Sequence, residues 1–136
     1  NNARAYIHLN RRNAQEVALA SIQQYAKLVS EGNSYQGYRV WDSACGGNRA
    51  RGYKPLWVVN VDSKDPEYLK TVIELVNECR GAEENKVRYQ IPTLHGYHLI
   101  TIGFDVQQFS QKLAIKNMDP IDIQKDNPTL LYYATV

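Results

Sequence analysis

The 136-residue chain predicts an α+β fold, a mixed β-sheet of about five to six strands with three helices packed on it. Two observations carry the elements. Leu56-Trp-Val-Val-Asn-Val61 is an almost continuous apolar run of strand length, and Val17, Leu19, Ala20, Ile22, Ala26, Leu28 and Val29 recur at spacings that suit a helix face. A third observation fixes the class: strand and helix signals interleave along the chain. No repeat, low-complexity tract or linker divides it, so 1–136 reads as a single domain.

Residues 4–9, Arg-Ala-Tyr-Ile-His-Leu, alternate as a strand does. Asn13 then stands as an N-cap with Glu16 three positions on, a capping-box arrangement that satisfies backbone N–H groups left without partners, and Gly32 is the stop. A short aromatic run, Tyr38 to Trp41, is a candidate strand, and Cys45-Gly-Gly-Asn-Arg-Ala-Arg-Gly52 reads as a flexible basic loop. The run 56–61 reads as a strand buried on both faces and ends at Asp62. Asp65-Pro-Glu67 supplies a cap, a proline for the first turn and an acid for the helix dipole. Leu69, Val72, Ile73 and Val76 continue it as an apolar stripe to Gly81. Residues 86–91 and 97–102 are two further strands joined by Pro92-Thr-Leu-His-Gly96. Asp105 caps a third helix carrying Val106, Phe109, Leu113 and Ile115. Residues 119–128 are a turn-rich acidic segment, and Leu130 to Ala134 a last strand.

Composition narrows the function classes. A chain that is 43% hydrophobic and 22% charged is not disordered. No apolar stretch approaches the roughly 20 residues of a membrane span, so no membrane partner is expected. Cys45 and Cys79 lack CxxC spacing and form neither a disulfide framework nor a zinc ribbon, which makes a reduced cytoplasmic setting the default. The chain opens on Asn1 and holds its one methionine at Met118, as expected of a domain drawn from a longer protein with partner domains of its own. The net charge of +2 conceals an uneven distribution. Residues 1–54 hold eight basic and three acidic side chains, and residues 55–136 hold eight and eleven. The first half suits polyanions and the second suits cations.

Two constellations carry chemistry. Asp62 ends an apolar strand, where a carboxylate sits at the open edge of a sheet and suits a divalent cation facing a ligand, while Asp65 beside it reads as a helix cap. Thr93-Leu-His-Gly-Tyr-His98 places two of the three histidines around a glycine that permits a tight turn. His98 enters the next strand, where an imidazole binds phosphate or exchanges protons. Thr101 lies three residues after His98 and therefore on the opposite strand face, which argues against a two-histidine phosphoesterase. The glycine-rich segment with Arg49, Arg51 and Lys54 is suited to phosphates, although no Walker or GxGxxG pattern is present. Tyr35, Tyr38, Trp41 and Tyr53 offer stacking surfaces or ordinary half-buried strand aromatics.

Taken in order, Trp57-Val-Val-Asn60-Val-Asp62, then Thr93-Leu-His-Gly-Tyr-His98-Leu-Ile, then a third acid at Asp122 or Asp126, resemble the catalytic core of the archaeo-eukaryotic primase and primase-polymerase superfamily. The resemblance spans roughly residues 54–134. It departs from the family where Asn60 stands in place of the first acid of an Asp-x-Asp or Asp-x-Glu motif, and in being shorter than the usual core. It implies template-dependent nucleotidyl transfer in a replication protein of a phage or mobile element. Asp62, Asp122 and Asp126 would hold Mg²⁺ or Mn²⁺, while His98, with Thr93, His95, Arg49, Arg51 and Lys54 around it, contacts the incoming triphosphate. The implied partners are nucleoside triphosphates and nucleic acid. Two alternatives stay open: a non-catalytic nucleic-acid-binding or replication-accessory module using the basic half, and a protein-interaction domain whose tyrosines form the surface.

Overall fold

The computed structural model describes residues 2–47, 54–125 and 129–135. They divide into two compact units, a sheet unit of Asn1–Leu9 with Lys54–Val136 and a helical unit of Asn10–Tyr53. The α+β class holds.

In the sheet unit, β1 (Asn2–Ile7) pairs with β6 (Thr129–Thr135) as a two-stranded ladder. The main sheet holds β2 (Leu56–Val61), β3 (Val87–Pro92), β4 (Tyr97–Ile102) and β5 (Asp122–Gln124) in the order β3-β4-β2-β5, all antiparallel. With α3 (Pro66–Glu78) between β2 and β3 and α4 (Val106–Ile115) between β4 and β5, the chain from Leu56 to Gln124 runs βαββαβ. That order of elements with this strand order is the split βαβ arrangement called ferredoxin-like. The strand at β5 corrects the reading of 119–128 as turn only. Three residues are too few for an alternating pattern to show.

The helices cover one face of this sheet. Val59, Val61 and Leu99 pack against Leu69, Val72, Leu75 and Val76 of α3 and Phe109 and Leu113 of α4. Phe104 meets Trp57 and Phe109 at ring centroids 5.6 and 5.5 Å apart. Both helices begin as their sequences dictate: Asp65 Oδ1 accepts from Glu67 N at 3.0 Å and Asp105 Oδ1 from Gln108 N at 3.0 Å. The buried Lys86 closes the other end of α3, its Nζ donating to the Asn77 carbonyl at 2.6 Å. Cys79 is an ordinary core thiol, donating to the Leu75 carbonyl, and burial pushes its pKa up.

The helical unit contains α1 (Ala14–Ser30), a 3₁₀ turn over Ser34–Arg39 and α2 (Val40–Gly47). Asn13 caps α1, accepting from Glu16 N at 3.2 Å. Gly32, at φ +74°, ends it in a Schellman motif with Asn33 N bonded to the Leu28 carbonyl and Gly32 N to Val29. The expected strand at Tyr38–Trp41 is helical. Val40 and Ala44, four apart, turn inward, while Tyr35, Tyr38 and Trp41, three apart, stay exposed, so the three-to-four-residue period outweighs the strand preference of aromatics. For the same reason Cys45 to Gly47 belong to α2 and not to a loop. No described helix is long and apolar enough to cross a membrane.

Candidate functional site

The register of the main sheet builds the site. Asn60 on β2 faces His98 on β4 and, on its other side, Asp122 on β5. Directly opposed residues of antiparallel strands project to the same face, and strands lie about 4.8 Å apart, so the three side chains form one row about 10 Å long. Asp62, two residues past Asn60, projects to that face as well, beyond the strand's end. This is the face opposite the helices: alternation along β2 puts Val59 and Val61 in the core and Asn60 and Asp62 away from it. By the same alternation Thr101, three residues after His98, is buried on the helix side.

Each member of the row has a partner. Asp62 is exposed and accepts from Asn60 Nδ2 at 3.4 Å. Asp122 is exposed and accepts from Gln124 Nε2 at 2.9 Å. His98 is half-buried, with Nδ1 3.0 Å from the Thr129 hydroxyl of β6. Burial holds the imidazole below its ordinary pKa of 6.5, and the Asp62 carboxylate pulls it back upward. Tyr68, in the first turn of α3, feels Asp62 and Asp119: burial raises the phenol's pKa first, then the charges of Asp119 and Asp62.

The loop between β3 and β4 is pinned to this end of the sheet. Thr93 N donates to the Gly96 carbonyl at 2.8 Å and Gly96 N to Thr93 Oγ1 at 3.1 Å, which closes the turn. A Cβ on Gly96 would lie 1.9 Å from the Val61 carbonyl oxygen and 2.7 Å from Ser63 N, so only glycine lets the turn press against the chain on either side of Asp62.

Other expected site residues have settings of their own. Thr93 spends its hydroxyl on the turn, and His95 is exposed at the turn's tip. Lys54 pairs with Glu83, which also receives Arg88. The two cations hold the Glu83 carboxyl down at about 2. Arg49, Arg51, Tyr53 and Asp126 lie outside the described residues. In the helical unit Tyr35, Tyr38 and Trp41 are exposed, with the Arg39 guanidinium 5.2 Å from the centre of the Tyr38 ring.

Thr129 and Tyr68 escaped the sequence reading. Thr129 begins a run of strand residues 31 positions from His98 and carries no local signal. Tyr68 had one, its place six residues after Asp62 inside the first turn of a capped helix.

Among the described residues no group of three or more His, Cys, Asp or Glu side chains converges as a metal cage. The donor set is nonetheless hard: two exposed carboxylates and an amide on one face. Mg²⁺ is commonly held by one or two carboxylates together with substrate phosphates and water, so the set fits an ion that arrives with a phosphate ligand. No protein-family model, curated protein or solved structure matches this chain.

Proposed function

We propose that the sheet unit is a primase-like nucleotidyltransferase domain, which binds a nucleoside triphosphate and a divalent cation on the Asp62–Asn60–His98–Asp122 row and works on a nucleic-acid template. The observation that carries this reading is the register that sets His98 and Asp122 on either side of Asn60, with Asp62 on the same face. Three motifs far apart in sequence thereby share one row, and the resemblance would give that row the roles of metal ligands and phosphate contact.

Asp62 and Asp122 would hold Mg²⁺ or Mn²⁺, which when bound supplies charge neutralisation for the triphosphate and for a 3′-hydroxyl nucleophile. His98, at the other end of the row from Asp122 with Asn60 between them, would meet phosphate oxygens, a task for which a ring held mostly neutral needs an N–H aimed outward. Asn60 contributes an amide where a second carboxylate would stand. It hydrogen-bonds Asp62 without adding negative charge, so the unliganded row repels a polyphosphate less.

Isothermal calorimetry with a nucleoside triphosphate and Mn²⁺ or Mg²⁺ tests the reading. Heat is expected for the wild-type chain, and Asp62→Ala should abolish the metal-dependent part. No heat, or heat unchanged in Asp62→Ala, overturns it and leaves the accessory-module and interaction-domain readings.

A further inference from the structure

We infer that Thr129 is a positioning residue that locks His98 in the tautomer with Nε2 protonated, so that the ring faces the acidic row as a hydrogen-bond donor. Thr129 is 0% exposed and its hydroxyl lies 3.0 Å from His98 Nδ1. Among the described residues that hydroxyl has no other hydrogen-bond partner. A hydroxyl both donates and accepts, and its own proton must go somewhere. If Nδ1 carried the ring proton and donated it to Thr129, the buried threonine O–H would be left without an acceptor. The reverse arrangement satisfies both groups: Thr129 donates to the Nδ1 lone pair and the ring's proton resides on Nε2.

The surroundings favour the same tautomer. Nε2 has no hydrogen-bond partner among the described residues, and the face it shares carries the Asp62 and Asp122 carboxylates. An N–H edge beside negative charge is favoured over a lone pair, and the Asp62 charge does act on the ring. His98 is therefore a donor to an oxyanion and not a metal ligand, since ligation through Nε2 would need the lone pair that this tautomer lacks. Thr129 belongs to the β1–β6 ladder and His98 to the main sheet, so the device couples the two sheets of the unit.

The tautomer itself stands on the Thr129 geometry with the row's charge beside it, and its consequence for phosphate binding rests on the proposed triphosphate site. The test separates the two. Long-range ¹H–¹⁵N NMR of the unliganded full chain near neutral pH reads the His98 tautomer, and titration with inorganic tripolyphosphate and Mg²⁺ reads binding. Wild type should show Nε2–H alone. Thr129→Val should give a mixture of tautomers and weaken tripolyphosphate binding about tenfold, the scale of one lost hydrogen bond. Thr129→Ser, which keeps the hydroxyl, should restore both readings. An unchanged tautomer in Thr129→Val, a wild-type ring protonated on Nδ1, or failure of serine to rescue overturns the inference. A wild type that shows Nε2–H alone and loses it in Thr129→Val, yet binds no tripolyphosphate, upholds the positioning role and overturns the triphosphate site instead.

Discussion

His98 is held between two opposing influences, burial that disfavours its charge and the Asp62 carboxylate that favours it, and burial is the larger. Its folded pKa therefore lies below the 6.5 of an ordinary imidazole. The sign follows from linkage: the unfolded chain takes up the proton first as pH falls. Stability contributed by the neutral ring is complete above about pH 6.5 and is lost below it toward the folded pKa. Asp62→Asn removes the upward influence of that carboxylate, so the His98 titration followed by ¹H NMR should move to lower pH than in wild type. A midpoint that stays or rises would show that Asp62 does not act on the ring. Asp62, His98 and Asp122 stand out in the sequence because each breaks a pattern: a carboxylate ends an apolar run, a histidine enters a strand after a glycine, and an acid lies in a turn-rich segment. Their shared face was not legible, since it depends on which residue of β4 and of β5 opposes Asn60, and no local rule sets register between strands 38 and 62 positions apart in sequence.

The elements most clearly written in the sequence are those with a chemical start signal. Asn13, Asp65 and Asp105 each open a helix and each accepts the expected backbone N–H. The failures are equally specific. The run Tyr38–Trp41 has strand-like composition but a helical burial period, and β5 is too short to have a pattern at all. The turn between β3 and β4 lies between these cases: Gly96 was readable as a tight-turn glycine, whereas its stricter role, the approach to the Val61 carbonyl, belongs to tertiary structure. Gly96→Ala tests that role. With a Cβ 1.9 Å from a carbonyl oxygen, backbone on both sides must shift. Overpacking of this kind costs about 3 kcal/mol. Urea unfolding should show a markedly lower midpoint with a similar slope. A midpoint within experimental error of wild type would mean that the β3–β4 turn does not bear on the chain around Asp62.

At the scale of the molecule, the sequence led to the right class, and the βαββα part of the order was present in the interleaving of strand and helix signals, while the last strand, β5, was not. The division into two units was not visible, because the helical unit, Asn10–Tyr53, is bounded by neither a linker nor a repeat. That division sharpens the charge asymmetry. Arg49 and Arg51 lie in the basic first half of the sequence, whereas Asp62 and Asp122 lie in the acidic second half and in the sheet unit. If the basic residues serve the nucleic-acid template and the acids serve the nucleotide and its metal, the two functions should separate by mutation. The template half of that separation has a quantitative signature. Each phosphate contact with a single strand releases counterions that contribute about 0.7 to the slope of log affinity against log salt. The double variant Arg49→Ala/Arg51→Ala should therefore flatten the slope by about 1.4 for a single-stranded oligonucleotide, measured by fluorescence anisotropy between low and moderate salt. Asp62→Ala should leave the same slope unchanged, since a carboxylate that holds a cation makes no phosphate contact of its own. A slope unaltered in the double arginine variant would remove these residues from the template path, and a slope altered by Asp62→Ala would merge the two functions into one site.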